Sequence, residues 1–286
     1  MTGMQGMVTS NAGVRSPGII YGTAWKKQDT EALVATALRQ GFRGIDTACQ
    51  MRHYHEAGVG AGIAHLSGVL RREELYLQTK FTSPGGQDLA TIPYDPAAPL
   101  PEQVRQSFAV SLRNLRTEYL DALVLHSPYP SLQQTLEAWG AMESLVDAGQ
   151  VRQLGISNCY SLPLLEALHR AARIKPALVQ NRFYADTGYD VGIRAFCMQH
   201  GLIYQSFWTL SANPELLAEP LFSELAANHG CEPPQVLFRY LTQRGAVPLT
   251  GTRSVEHMRQ DLAIFDFELS SQALNAIDAR LGAGVG

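Results

Sequence analysis

Four residues in this 286-residue chain could together move a proton and a hydride: Asp46, Tyr54, Lys80 and His126. Delivering hydride to a carbonyl carbon requires a proton for the carbonyl oxygen. A phenol, with a reference pKa of about 10, is a weak acid near neutrality. A neighbouring ammonium favours phenolate and is expected to make Tyr54 more acidic. A carboxylate beside that ammonium keeps it in place, and a histidine within hydrogen-bond reach can orient the carbonyl or join the proton relay. Taken singly, an aspartate after a strand is an ordinary turn former, and a lone lysine, histidine or tyrosine is ordinarily solvated or packed. Asp46, Lys80 and His126 carry meaning because they fall at the ends of successive apolar runs, with Tyr54 just beyond the first of them.

Those runs alternate with amphipathic segments along the whole chain. Strands are expected over 18–22, 43–46, 75–79, 119–125, 153–156, 177–180, 202–206 and 246–249. Helices are expected over 30–40, about 56–70, 101–115, 132–148, 162–172, 190–200, 215–229, 234–244 and 255–264, with a last one over 271–281. Leu33, Ala37 and Leu38 share one face of the first helix, and Gly41 stops it. The 119–125 run is almost unbroken in its apolar character, as a strand covered on both faces must be. Eight strand–helix units in this length predict an α/β chain folded as one (β/α)8 TIM barrel, 1–286, with an extra C-terminal helix. Residues 1–16 are expected to be a flexible or hairpin N-terminus. An open doubly wound sheet is the rival, but Gly58-Val-Gly60-Ala-Gly62 lies inside a helical stretch and not at a strand-to-helix turn. The irregular stretch 83–99 is read as a loop on the barrel top.

Bulk properties narrow the function class. Hydrophobic residues make up 45%, charged residues 17%, and the net charge is −3. That suits a large core and offers no basic surface for nucleic acid. Cys49, Cys159, Cys197 and Cys231 are scattered, without zinc spacing or a disulfide framework, so no metal is expected and a reducing, cytoplasmic setting fits. The first residues show no apolar leader, and no stretch nears the ~20 apolar residues of a membrane span. The surface helices suggest no extra apolar face, so a monomer is expected.

The segments Gly41-Phe-Arg-Gly-Ile-Asp-Thr-Ala48, Tyr119-Leu-Asp-Ala-Leu-Val-Leu-His126, Gly155-Ile-Ser-Asn158 and Val179-Gln180 resemble the strand-end motifs of the aldo-keto reductases, and the likeness runs along nearly the whole chain. The resemblance implies a carbonyl reductase of the aldose-reductase type with Asp46, Tyr54, Lys80 and His126 as its catalytic tetrad. It implies that Gly22 and Thr23 lie beside the nicotinamide ribose, and that Ser157, Asn158 and Gln180 bind the carboxamide. It places Gln205 on the nicotinamide ring and Ser206, Trp208 and Leu210 in a pyrophosphate loop. Trp25 matches an aromatic wall of the substrate pocket, and Phe81, Tyr129, Tyr160 and Phe207 are expected to shape the rest.

Three departures stand out. Met51 occupies the usual tyrosine position, and Tyr54, the next candidate, needs a longer loop after Asp46. His53 and His55 are alternative acids, although a tyrosine fits the lysine–aspartate pair better. Gln205 replaces the usual stacking tyrosine with a planar amide of smaller area. After the last strand the usual lysine is absent and His257 takes an arginine position, leaving Thr252 and Arg253 to hold a 2′-phosphate. NADPH is therefore expected, with NADH as the other possibility. The chain also ends within five residues of its last expected helix, without the long closing loop many relatives carry. The alternative function is a cofactor-binding regulatory or redox-sensing barrel with little turnover; a third is a structural barrel with degraded chemistry.

Overall fold

A computed structural model of the chain describes residues 6–282. An antiparallel hairpin of β1 (Met7–Thr9) and β2 (Arg15–Pro17) precedes eight barrel strands. These are β3 (Ile20–Gly22), β4 (Gly44–Asp46), β5 (Tyr76–Phe81), β6 (Ala122–Leu125), β7 (Leu154–Ser157), β8 (Leu178–Arg182), β9 (Ile203–Phe207) and β10 (Ala246–Thr250). Every barrel pairing is parallel, each strand bonds to the next in sequence, and β10 pairs with β3 to close the ring. The chain is a (β/α)8 barrel, with the helix Ser271–Arg280 following the last strand–helix unit.

Helix boundaries follow local chemistry. Thr30–Gln40 ends at Gly41, whose φ of 120° suits a residue without a Cβ. Ser131, Ser161, Ser254 and Ser270 each accept a backbone N–H at the start of their helices. The helix expected over 215–229 is two helices, Pro214–Leu217 and Pro220–His229. Pro220 cannot supply the backbone donor that a continuous helix needs there. The helix expected to reach residue 70 is Glu56–Ala64, and its glycines serve packing. A Cβ on Gly60 would lie 2.1 Å from the Asn114 carbonyl oxygen, so only glycine lets the helix Leu100–Leu115 approach.

Two apolar regions result. Ile20, Tyr76, Ala122, Val124, Leu178, Ile203, Val247 and Leu249 fill the barrel lumen. A larger layer, including Leu77, Phe81, Leu123, Trp139, Phe183 and Phe238, packs between the strands and the helices. The alternation along each strand separates the two. At the floor of the lumen, the Ser10 hydroxyl donates to Gln153 Oε1 at 2.6 Å, and Gln153 Nε2 donates to the Tyr76 hydroxyl at 3.0 Å. Among the described residues no helix is long and apolar enough to cross a membrane.

Candidate active site

The C-terminal end of the barrel is polar because inward-facing positions of several strands carry amides and charges. On β5 the alternation sends Gln78 and Lys80 inward, while Thr79 and Phe81 face the helices. Lys80 Nζ donates to both Asp46 oxygens at 2.7 Å and to the Thr47 carbonyl at 2.8 Å, which uses all three ammonium hydrogens. Asp46 also accepts from Gln78 Nε2 at 2.7 Å and Gln180 Nε2 at 2.9 Å. Burial draws the Lys80 ammonium below the usual lysine range, and the Asp46 carboxylate opposes that pull.

Tyr54 stands over this pair. Lys80 Nζ lies 5.1 Å from its ring centroid, and the ring meets His126 edge-on with centroids 6.0 Å apart. The extra residues between Asp46 and the tyrosine are absorbed by one turn: Tyr54 N donates to Gln50 O at 3.1 Å, and Trp25 N donates to His53 O at 2.7 Å. Met51 turns out to solvent, at 64% exposure. The loop behind is pinned to its neighbour, with Gln50 Nε2 donating to Gly86 O at 2.7 Å and Gln87 Nε2 to Cys49 O at 2.8 Å. Burial, and then the Asp46 charge, raise the Tyr54 phenol above its usual range. This differs from the expected acidification. Lys80 spends its charge on Asp46, so burial and the carboxylate, not the ammonium, govern the phenol.

His126 follows β6, with its Nδ1 2.6 Å from the Thr82 hydroxyl. Burial, and then the Lys80 ammonium, hold its imidazole well below the usual histidine range, so the ring is neutral. Asn158, in the left-handed region at φ 52°, donates to the His126 carbonyl at 2.8 Å. Ser157 Oγ donates to Gln180 O at 2.7 Å.

A cavity of about 1250 Å³ opens above these groups. One end is lined by Asp46, Tyr54, His126, Trp25, Ser157, Asn158 and Gln180, and Gly22, Phe207, Trp208 and Leu210 continue the wall. Thr252, His257, Gln260, Asp261, Glu232 and Gln235 also line it, beyond β10. This is large enough for a dinucleotide and a small substrate together, since pockets for drug-sized ligands run ~300–1,000 Å³. Among the described residues no group of three or more His, Cys, Asp or Glu is gathered as metal ligands.

Several residues expected at the cavity lie elsewhere. Gln205 is fully buried below it, sharing hydrogen bonds with Gln78 and Gln180, so its amide faces down the barrel and covers no ring above. Phe207, two residues further along the same strand face, reaches the cavity in its place. Phe81 points outward and packs against Tyr94 with centroids 5.6 Å apart. Tyr129 packs against the outer apolar layer and does not reach the wall. Thr23 is buried, its hydroxyl donating to the Asp46 carbonyl at 2.9 Å. Ser206 is likewise buried and accepts from Thr209 Oγ1 at 2.9 Å, which ties down the loop after β9. Arg253 is exposed and paired with Asp29 at the surface. Tyr160 is not on the cavity wall and donates to Asn158 Oδ1 at 3.3 Å.

Other residues were not anticipated. Gln78 could be found two places before Lys80, and Arg182 two places after Gln180, by strand alternation. Thr82 supports His126 through a contact no local pattern signals. Lys26 adjoins Trp25 and is buried beside β10; its ammonium donates to the Gly251 carbonyl at 2.7 Å, and burial lowers its pKa to about 8.

Comparisons with known proteins identify the family. The aldo/keto reductase family profile matches residues 13–281. An aldo-keto reductase of Mycolicibacterium smegmatis is 31% identical over 96% of this chain and 93% of its own. A glyoxal reductase of Bacillus subtilis is 30% identical over 97% of this chain and 94% of its own. A crystal structure of an aldo/keto reductase from Brucella melitensis superposes with a TM-score of 0.82 at 26% identity, over 97% of this chain and 100% of its own. With that coverage and a closed barrel whose strand ends carry Asp46, Lys80 and His126, this chain belongs to the aldo/keto reductase family.

Proposed function

We propose that this chain reduces an aldehyde or ketone to the alcohol with NADPH, and that Tyr54 donates the proton. The observation that carries the reading is the stacking of Tyr54 over Lys80 and beside His126 at the floor of the cavity. A raised phenol pKa keeps Tyr54 protonated across the working range, so it stays loaded as a donor. Asp46 and the Thr47 carbonyl hold the ammonium still beneath the ring. In the tautomer whose Nδ1 accepts from the Thr82 hydroxyl, neutral His126 carries its proton on Nε2 and can donate to a carbonyl oxygen. Trp25 and Phe207 supply apolar walls to the cavity.

The residues present fit a nicotinamide cofactor, which when bound supplies the hydride. Gln180 spends its amide hydrogens on Asp46 and Gln205, so it offers the cavity a carbonyl oxygen suited to a carboxamide N–H. Ser157 and Asn158 flank it. Trp208 and Leu210 carry the loop assigned to the pyrophosphate, and Lys26 supplies a cation near Gly251. Thr252 and Arg253 are assigned to the 2′-phosphate. The Arg253–Asp29 pair is exposed on both sides and contributes at most about 1 kcal/mol, so a bidentate phosphate contact can displace it. The Glu232 and Asp261 carboxylates also line the cavity and favour the second reading, NADH, whose ribose hydroxyl suits a carboxylate. Four free cysteines, three of them buried, agree with a reducing cytoplasmic setting.

Purified protein is expected to oxidise NADPH when given small aldehydes and dicarbonyls. Tyr54→Phe is expected to lose that turnover and keep cofactor affinity. An active Tyr54→Phe variant moves the acid to a histidine, and tight cofactor binding without any wild-type turnover favours a regulatory barrel. Arg253→Ala is expected to weaken NADPH at least tenfold while NADH changes less than twofold by fluorescence titration. Equal loss, or none, removes the NADPH assignment.

A further inference from the structure

One cation on the cavity wall has no task in the proposed reduction. Arg182 ends β8, and alternation directs it to the barrel mouth in the same inward row as Gln180. It is the single lysine or arginine among the described residues lining the cavity. Its guanidinium lies 4.1 Å from the Trp208 ring centroid and 5.0 Å from that of Tyr184. Among the described residues no carboxylate pairs with it, and its buried Nε has no hydrogen-bond partner. The other basic groups nearby are occupied: Lys80 by Asp46, Lys26 by the Gly251 carbonyl and Arg253 by Asp29.

The surroundings make Arg182 a receptor and not a loose surface charge. Aromatic contacts fix the plane of a guanidinium and leave its N–H edge free for a planar anion. Trp208 sits at φ 57°, in the left-handed region that a bulky residue adopts only when its surroundings impose it. Its carbonyl accepts from Ala212 N at 2.8 Å, which helps hold that turn. Phe207, in register with Arg182, adds an apolar neighbour. An unpaired cation between aromatic groups is a strong partner for a carboxylate.

Position selects the source of the anion. Gln180, two residues below Arg182, touches Asp46 at 2.9 Å. Arg182 therefore stands roughly 6–7 Å along the strand from the layer that holds Asp46. Its backbone N–H donates to the Tyr160 hydroxyl at 3.1 Å, that hydroxyl donates to Asn158 Oδ1 at 3.3 Å, and Asn158 donates to the His126 carbonyl at 2.8 Å, which seats Arg182 on the side of the mouth that carries His126, two strands away from the loop after β10 that holds Thr252 and His257. Resting on the proposed reduction, we infer that Arg182 binds the carboxylate of the carbonyl substrate, and that the preferred substrates are oxo acids whose carboxylate lies several bonds from the reacting carbonyl.

Paired substrates test this. 4-Carboxybenzaldehyde and 4-nitrobenzaldehyde share shape but differ in charge; the nitro group also withdraws electrons more strongly and raises intrinsic reactivity, so the comparison is read in KM and in its change between variants. The wild type is expected to show a KM at least tenfold lower for the carboxylate. Arg182→Leu is expected to raise KM for 4-carboxybenzaldehyde at least tenfold more than for 4-nitrobenzaldehyde, and Arg182→Lys to restore part of the difference. Equal increases for both aldehydes overturn the inference. Loss confined to NADPH affinity also overturns it and assigns the guanidinium to the cofactor pyrophosphate. If the wild type reduces 4-nitrobenzaldehyde without preferring the carboxylate, the reduction stands and the Arg182 assignment fails. If it reduces neither aldehyde, the reduction fails, and calorimetry with benzene-1,4-dicarboxylate decides the receptor. Binding to the wild type but not to Arg182→Leu supports it, and no binding to either overturns it.

Discussion

Replacing Lys80 by Met separates the structural from the chemical role of the ion pair. Asp46 is 3% exposed and loses two ammonium contacts at 2.7 Å, while the Thr47 carbonyl loses its donor. Leaving a buried charge without its counter-ion costs about 3–5 kcal/mol. Gln78 and Gln180 still donate to Asp46 Oδ1 at 2.7 and 2.9 Å, which puts the cost near the lower limit, about 3 kcal/mol. At about 2–4 °C per kcal/mol for a large domain, Lys80→Met is expected to lower Tm by roughly 6–12 °C. Asp46→Asn is expected to cost a similar amount by stranding the ammonium. The double variant removes both charges and keeps an acceptor for the two glutamines, so it is expected to recover to within about 1 kcal/mol of the wild type. Urea unfolding of the four proteins measures this coupling, and aldehyde-dependent NADPH oxidation measures activity. The double variant is expected to be stable and yet reduced in turnover by ~10²–10⁴, the contribution of positioned proton transfer. Lys80→Met costing under about 1 kcal/mol, or a double variant as unstable as the two single losses added, would refute the account.

Two further outcomes follow from burial. His126 is held neutral in the fold, whereas an unfolded histidine titrates near ~6.5, so below that pH the unfolded chain takes up a proton that the fold refuses. Its contribution to stability is therefore lost as pH falls, by about 1.4 kcal/mol between pH 7.5 and 5.5. His126→Gln should remove that part of the slope in urea unfolding, and an unchanged slope would show that His126 is not the group responsible. Phe81, 1% exposed in the outer layer, should when changed to Ala cost about 3–5 kcal/mol and leave the ranking of aldehydes by kcat/KM intact. A changed ranking with little loss of stability would return Phe81 to the pocket.

The eight-strand alternation, the helix stops at glycine and the strand-end positions of Asp46, Lys80 and His126 were legible in the sequence. Each depends on local periodicity or on a residue's own backbone preference, which a linear chain displays directly. The error over 215–229 was local too: Pro220 is visible, but a proline at a helix start and one that divides a helix read alike until the chain is folded.

What closure of the barrel decided was which way each side chain looks and what it meets there. Gln205 and Phe207 lie two residues apart on one strand face, and only the depth of the lumen puts the amide in a hydrogen-bonded layer and the ring at the cavity. Thr82 reaches His126, and Arg182 meets Trp208, across separations that no spacing rule covers. The reversed shift of Tyr54 has the same origin, because burial and the pairing of Lys80 with Asp46 exist only once strands distant in sequence are neighbours. Residue type and spacing established a barrel with an aspartate, a lysine and a histidine at one end. The tertiary structure turned Met51 outward, stood Tyr54 over the ion pair and set the Arg182 guanidinium on the cavity wall with no carboxylate beside it among the described residues, because contact geometry and local field depend on packing between strands and not on order along the chain.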